Sequence, residues 1–329
     1  MAQHKDITDI SPATELAETA DTTDTADNSR TPNPRTIAVL GPGGVGGLLA
    51  ALLARAGHRV ICLAGEATAQ ALQSTGIQLH SPHFGDFTAR VETATELREP
   101  VAACLITVKQ TALDASLTRI PPAAMGDALL VPFLNGVEHP AALRARYRPD
   151  RVAPAAIRVE STRTAPGRIT HGSPFAEIDL TGTGVPRPRL DALATALTAA
   201  GPATRVLDDE TAALWAKMAF LAPLALLTTR YRAPIGEIRT RYRAELTALV
   251  AETVAVSHAC GGPGDPAGTI ARYDTFPATT KSSMQRDAEA GRPLELDAIG
   301  GALLRAAAHH GIPAPVASRL VRELTDPTP

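Results

Sequence analysis

The sequence predicts an α/β fold in two parts: an open parallel sheet wrapped by helices, then an all-helical domain. Three observations predict it. A β-branched run, "TIAVL" from Thr36, passes through "GPGGVGG" into the helical pattern "LLAALLARAGH" and on to a second apolar run, "RVICLA"; this strand–turn–helix–strand order is one βαβ unit. Two more strand-to-helix junctions follow, in "AACLITVKQTALDASL" and "ALLVPFLNGVEHPAALRARY". From Asp209 onward helical segments follow one another: "ETAALWAKMAFLAPLALLTT", "TRYRAELTALVAETVAVSHACG", "PATTKSSMQRDAEAGRPLELDAIGGALLRAAAHHG" and "VASRLVREL".

The first junction carries chemistry. Gly41, Gly43 and Gly46 stand at G-x-G-x-x-G spacing. Gly41 permits the tight turn, Gly43 lets a pyrophosphate approach the backbone, and Gly46 lets helix and strand pack closely. The helix start, with Gly44 in it, offers unpaired N–H groups to the anion. These features define a Rossmann-type dinucleotide-binding domain; a glycine-rich turn without a ligand is the competing reading, and the flanking strand and helix weigh against it. The end of the second strand discriminates between cofactors, an acidic residue gripping a ribose hydroxyl and an arginine a 2′-phosphate. Gly65 and Glu66 stand there, with no arginine until much later, and Glu66 is equally a first-turn helix charge. NADP against NAD stays open on these residues.

In open α/β sheets ligands sit at the carboxyl ends of strands. Lys109 and Asn135 fall at such ends, although Asn135-Gly136 is also a common turn former. After Arg151 the pieces "RVAPAAIRVE", "GRITHG" and "AEIDL" read as short strands and "RLDALATALTAAG" as a helix. The expected divisions are a disordered tail over 1–35, the nucleotide-binding domain over 36–208 and the helical domain over 209–329. The tail, "ATELAETADTTDTADNSRTPNPR" in its larger part, has no periodicity and no apolar signal core.

Composition narrows the partners. A net charge of −2 provides no field for nucleic acid or an anionic membrane, and 3% aromatic residues provide few stacking platforms. Cys62, Cys104 and Cys260 lie far apart, without metal-ligand spacing. The expectation is a cytoplasmic enzyme with a small-molecule substrate and no metal, with a homodimer left open.

Among 32 Lys and Arg residues only Lys5, Lys109, Lys217 and Lys281 are lysine. Lys217 sits inside the apolar run "ALWAKMAFLAPLALL". A group that gives up a proton can be lysine but not arginine, although a lysine near a helix surface also snorkels to solvent.

Together, "GPGGVGG", "TVK" before a helix, "FLNG", "LWAKM", "SSMQRD" with "LELDAIGG", and "HHGIPAPV" resemble the ketopantoate reductase (2-dehydropantoate 2-reductase) family over about Thr36 to Leu324. The resemblance implies NADPH-dependent reduction of an α-keto acid in the cleft between the two domains, a step of pantothenate biosynthesis. It assigns Lys217 as general acid, Glu295 as the carboxylate that orients lysine and substrate, and Ser283 as the hydroxyl that holds the substrate carboxylate. Lys109 and Asn135 match cleft residues near nicotinamide and substrate. Glu295 and Ser283 also read as ordinary residues at helix starts.

The chain departs from the family pattern where asparagines are usual: Leu221 and Ala225 stand four and eight residues after Lys217, and Ile235 stands in "PIGE". A site built to bond a hydroxyl rejects analogues lacking it, so three apolar residues here point away from ketopantoate and towards a more apolar 2-keto acid. An imine or opine-type dehydrogenase, or a nucleotide-binding sensor without turnover, are the rival readings.

Overall fold

A computed structural model of the protein describes residues 35–326. Apart from Arg35, the expected tail lies outside the described residues. The central sheet is parallel throughout and has five strands in the order β5 (Glu92–Ala94), β2 (Arg59–Leu63), β1 (Thr36–Leu40), β6 (Ala103–Ile106) and β7 (Leu129–Pro132). The order reverses between β1 and β6, the switch point at which open α/β sheets bind ligands. Leu40 of β1 is in register with Leu63 of β2 and Ile106 of β6, so the segments leaving these strands emerge along one edge.

Helix α1 (Gly44–Arg55) follows β1, and every residue from Gly46 to Leu53 is buried. It lies between the parallel sheet and a second sheet of β4 (Phe87–Ala89), β3 (Ile77–His80), β10 (Arg168–His171) and β9 (Ser161–Ala165), which explains a helix apolar on all sides. Leu48, Leu49, Leu52 and Leu53 are all fully buried, each contributing roughly 1.5–3 kcal/mol of transfer free energy. A third sheet joins β12 (Ala203–Val206), β11 (Glu177–Leu180) and β8 (Ala155–Arg158). Helices α2 (Glu66–Thr75), α3 (Leu113–Ser116), α4 (Pro122–Met125), α5 (His139–Arg146) and α6 (Arg187–Ala200) complete this half.

The helical half is built on α7 (Glu210–Tyr231), whose start is capped by the Asp209 side chain accepting from Ala212 N at 2.9 Å. By length and hydropathy α7 could cross a membrane, yet 67% of its apolar window is buried in the protein. Around it pack α9 (Arg243–Ala259), α11 (Ser283–Glu289), α13 (Pro315–Thr325) and a π-helical turn, Asp297–Gly301, that leads into α12 (Ala302–His310). Helices α8 (Ile235–Arg241) and α10 (Pro266–Thr275) close the periphery. Pro223 interrupts the α7 hydrogen-bond ladder, and the Tyr273 hydroxyl donates to the nearby Phe220 carbonyl.

The expected strands and nucleotide-binding helix are present, with two local departures. The segment expected as one helix from Pro277 is divided: α11 ends at Glu289, and helix resumes only after the "GRPLE" stretch. Helix α10, not expected in "GGPGDPAG", forms because Asp265 accepts from Ala267 N (3.0 Å) and Gly268 N (2.9 Å) with Pro266 in the first turn.

Candidate active site

The glycine turn has the shape that a dinucleotide requires. Gly41 has φ +86°, and a Cβ there would run into Val108. A Cβ on Gly46 would overlap Thr107 and the Gly41 carbonyl, so α1 approaches β1 only because Gly46 has no side chain. Gly43, the N-cap residue, faces open space, its nearest neighbour to a Cβ lying 3.9 Å away. No side chain caps α1, so its first N–H groups look into that space. Gly44 is different: the Ser161 backbone fills its Cβ position, and the Ser161 hydroxyl donates to the Gly44 carbonyl at 2.8 Å. Packing against β9 therefore accounts for its glycine, while its amide remains at the helix start. The open Gly43 and the uncapped start of α1 are residues that would hold a pyrophosphate.

Across the switch point the fold brings Glu295 to the residues after β6 and β7. Glu295 is buried, its Oε1 accepting from the Gln110 backbone N–H and its Oε2 from Asn135 Nδ2, both at 3.0 Å. Asn135-Gly136 is therefore more than a turn. Gly136 has φ +89°, and its Cβ position abuts the Ala298 carbonyl of the π-helical turn at 2.5 Å, so glycine lets the two halves close on each other. Insertion of a π turn next to a functional residue is a recurrent device.

Lys217 lies two turns into α7, part-buried, and makes none of the side-chain hydrogen bonds or ion pairs found among the described residues. Burial pushes its ammonium down to about 8; the Glu295 carboxylate pulls it back up, and the Arg158 guanidinium pushes it down. Arg158, at the end of β8, is itself held by the buried Asp179 and by Glu177. His139, at the start of α5, is buried with neither ring nitrogen hydrogen-bonded, and burial, then Lys217 and Arg144, push it down to about 3.

The other expected residues are distributed unevenly. Lys109 Nζ is ion-paired with Asp287 of α11, a buried carboxylate that also accepts from Arg292 Nε at 2.9 Å. Ser283 is the exposed first residue of α11, next to the buried N-cap Ser282, whose Oγ accepts from Gln285 N at 3.0 Å. Of the three apolar positions expected to line the pocket, only Leu221 reaches the surface. Ala225 and Ile235 are 1% and 0% exposed, inside the helical core. Eight residues of α-helix rotate a side chain by about 80° from its starting face, which turns Ala225 away from the Lys217 side of α7.

Sequence reasoning missed Gln110, Asp287, Arg158 and His139. Gln110 acts through its backbone N–H, which leaves no trace in residue identity. Asp287 closes the quoted motif "SSMQRD", and His139 follows "FLNG" by three residues, so proximity to motifs was the available signal. Further ion pairs join the two halves: Arg144 to Glu210 (2.7 and 2.6 Å), Arg305 to Glu138 (2.8 and 2.7 Å) and Arg286 to Glu160 (2.8 Å).

Two family models match, ketopantoate reductase PanE/ApbA over residues 37–180 and its C-terminal counterpart over residues 209–326. The chain belongs to the ketopantoate reductase family. A 2-dehydropantoate 2-reductase of Caulobacter vibrioides is 31% identical over 292 residues, covering 87% of this chain and 97% of that protein. Among solved structures, the 2-dehydropantoate 2-reductase of Geobacter metallireducens superposes with a TM-score of 0.81 at 27% identity, covering 89% of this chain and all of that one. A PanE/ApbA family ketopantoate reductase from Ralstonia eutropha gives 0.79 at 28% identity, over 87% and 96% of the two chains. The chain is thus an NAD(P)H-dependent oxidoreductase of the ketopantoate reductase type, with a parallel nucleotide-binding sheet and a helical second domain.

Proposed function

We propose that the protein reduces the keto group of a 2-keto acid to the 2-hydroxy acid with NADPH, residues 36–208 holding the cofactor and residues 209–329 supplying the proton. The observation that carries this reading is the Lys217 ammonium, brought near neutrality by burial beside a Glu295 carboxylate that is itself tied to Gln110 and Asn135. When bound, the nicotinamide supplies the hydride.

The chain's own residues do the rest. The Gly43 opening and the α1 N–H groups take the pyrophosphate. As hydride reaches the carbonyl carbon, negative charge grows on its oxygen, and Lys217 donates its proton there. The Glu295 charge favours the protonated form of Lys217. The exposed Ser283 hydroxyl takes the substrate carboxylate. Lys109 keeps α11 and Ser283 at the sheet edge through Asp287.

Leu221 alone carries the substrate argument, as an apolar surface one turn beyond Lys217. It favours an aliphatic 2-keto acid over ketopantoate, whose hydroxyl would lose its water there without gaining a partner. The test is an absorbance screen at the nicotinamide band over 2-keto acids of graded size and hydroxylation, with NADPH and NADH. Oxidation fastest with an unhydroxylated aliphatic acid is expected; a strong preference for ketopantoate would overturn the substrate reading, and no turnover of any 2-keto acid would overturn the function.

A further inference from the structure

The end of β2 has no side chain of its own to meet an adenosine ribose: Ala64 is buried and Gly65 has none. The group that stands there comes from another part of the chain. Arg119, 55 residues beyond Ala64, reaches back so that its Nη1 donates to the Ala64 carbonyl at 3.2 Å and to the Thr95 carbonyl at 2.7 Å. Its own carbonyl accepts from Leu97 N at 2.8 Å, which fixes its backbone to the same loop. The guanidinium is therefore held at the carboxyl edge between β2 and β5. Nη2 stands 3.8 Å from where a Gly65 Cβ would lie, and neither it nor Nε has an acceptor among the described residues.

We propose that Arg119 is the residue that selects NADPH, its Nη2 and Nε binding the 2′-phosphate over Gly65. The inference rests on the reading of the chain as a dinucleotide-dependent reductase. Two structural features support it beyond the presence of a charge. A clamp on two carbonyls uses one nitrogen of the fork, and the remaining donors are pre-oriented, so little entropy is lost when they meet an oxyanion. The absence of a side chain at Gly65 leaves room for a phosphate where an NAD-preferring fold places a carboxylate. Glu66 is exposed at the start of α2 in the same corner and tempers the preference without removing it.

The test separates this role from the clamp and from the broader reading by binding rather than turnover. Adenosine 2′,5′-bisphosphate and adenosine 5′-monophosphate are titrated calorimetrically into the wild-type protein, Arg119→Gln and Gly65→Asp, with melting temperatures recorded for each. The wild type is expected to prefer the bisphosphate by roughly 10- to 100-fold, the effect of a charge-assisted pair of hydrogen bonds. Arg119→Gln should bring that ratio to about 3 or less while leaving the monophosphate affinity almost unchanged. Gly65→Asp should keep the fold, since Gly65 has φ −69° at the N-cap of α2, a position that favours aspartate. Its carboxylate would occupy Nη2 and reverse the preference. If Arg119→Gln fails to fold, Arg119→Lys decides: it keeps a donor for the clamp but loses the fork, its ratio should fall several-fold, and a wild-type ratio there overturns the role of Arg119. A wild type indifferent to the 2′-phosphate, or variants that keep the wild-type ratio, overturns the role of Arg119 alone. Failure of the wild type to bind either nucleotide overturns the dinucleotide reading and the inference with it.

Discussion

Asn135 Nδ2 donates to Glu295 Oε2 at 3.0 Å, joining residues 160 positions apart in the chain. The bond fixes a carboxylate from the helical half at the edge of the parallel sheet, and that carboxylate raises the affinity of Lys217 for its proton. Two predictions concern this arrangement.

Glu295→Gln removes the charge that favours the lysine ammonium while keeping the size of the side chain. The Lys217 pKa should then fall below about 8, because burial and Arg158 act unopposed. With the protonated lysine as the proposed proton donor, reduction should be lost as pH rises through that pKa. A pH profile of kcat should show an alkaline limb near 8 in the wild type and a limb at lower pH in Glu295→Gln. An unmoved limb would show that Glu295 does not act on Lys217.

Asn135→Ala leaves Glu295 Oε2 without its donor but leaves the Gln110 bond intact. A buried carboxylate losing one of two donors costs about 1–3 kcal/mol. The expected result is a lower melting temperature together with a fall in kcat, and in Glu295→Gln/Asn135→Ala the effects should be less than additive. Additive losses would mean that the pair does not work as a unit.

Much of this architecture was legible in the sequence, and the exceptions share a cause. Strands β1, β2, β6 and β7 are continuous apolar runs because both faces of the sheet are covered. Strand β9, "STRTA", has no apolar pattern; it is held by pairing with β10 and by the Ser161 bond to Gly44. Lys217, Asn135 and Glu295 could be found by motif because the proposed roles belong to their side chains, and the structure brings Asn135 and Glu295 into contact. The Gln110 amide, the Lys109–Asp287 pair and the Arg119 clamp depend on which backbone atoms meet after folding, which residue types do not encode. Ala225 and Ile235 were expected beside the substrate and are enclosed in the helical core; for Ala225, counting in steps of four along α7 ignores the drift of the helix, and Ile235 stands on α8, whose packing its motif does not encode.

Burial makes the third prediction. His139 is buried with both ring nitrogens unpartnered, and its pKa lies near 3 against 6.5 for an ordinary histidine. The unfolded chain takes up this proton as pH falls below 6.5, whereas the folded chain does so only near 3. Folded stability should therefore drop through that window, by about 1.4 kcal/mol per pH unit where the difference is a whole proton. His139→Leu should hold the melting temperature near wild type at pH 7 and flatten its decline between pH 6 and 4. His58 and His171, also pushed down by burial, should leave a residual slope. An unchanged slope in His139→Leu would remove His139 as its source.

The core positions give the fourth. Ala225→Asn and Ile235→Asn each put an amide into a packed apolar cluster and should cost about 2–4 kcal/mol by loss of packing and unmet hydrogen bonds. Leu221→Asn, at the surface of α7, should cost far less and should raise kcat/KM for ketopantoate relative to an aliphatic 2-keto acid. Thermal melts of the three variants beside that ratio check both halves. A gain for ketopantoate in Ala225→Asn at unchanged stability would return that residue to the pocket.

Lys217 carries the last prediction, in which stability and chemistry pull apart. Its pKa in the folded protein, about 8, lies below the ordinary 10.5. Between these values the unfolded chain binds the proton more tightly, so the charged lysine destabilises the fold at pH 7, and stability should rise as pH climbs from 8 to 10.5. Lys217→Met fills the same space without the charge and should raise stability at pH 7 by about 1–3 kcal/mol, while lowering kcat by roughly 10²–10⁴, the usual effect of losing a general acid. Lys217→Arg keeps the charge but holds its proton at every working pH and presents a wide planar fork instead of a compact ammonium. It should lose activity to a similar degree without the gain in stability, and both variants should bind the adenosine nucleotide as wild type does, because the glycine turn lies in the other half of the chain. Arginine activity within a few-fold of wild type would leave Lys217 as a structural charge and send the search for the proton donor elsewhere in the cleft.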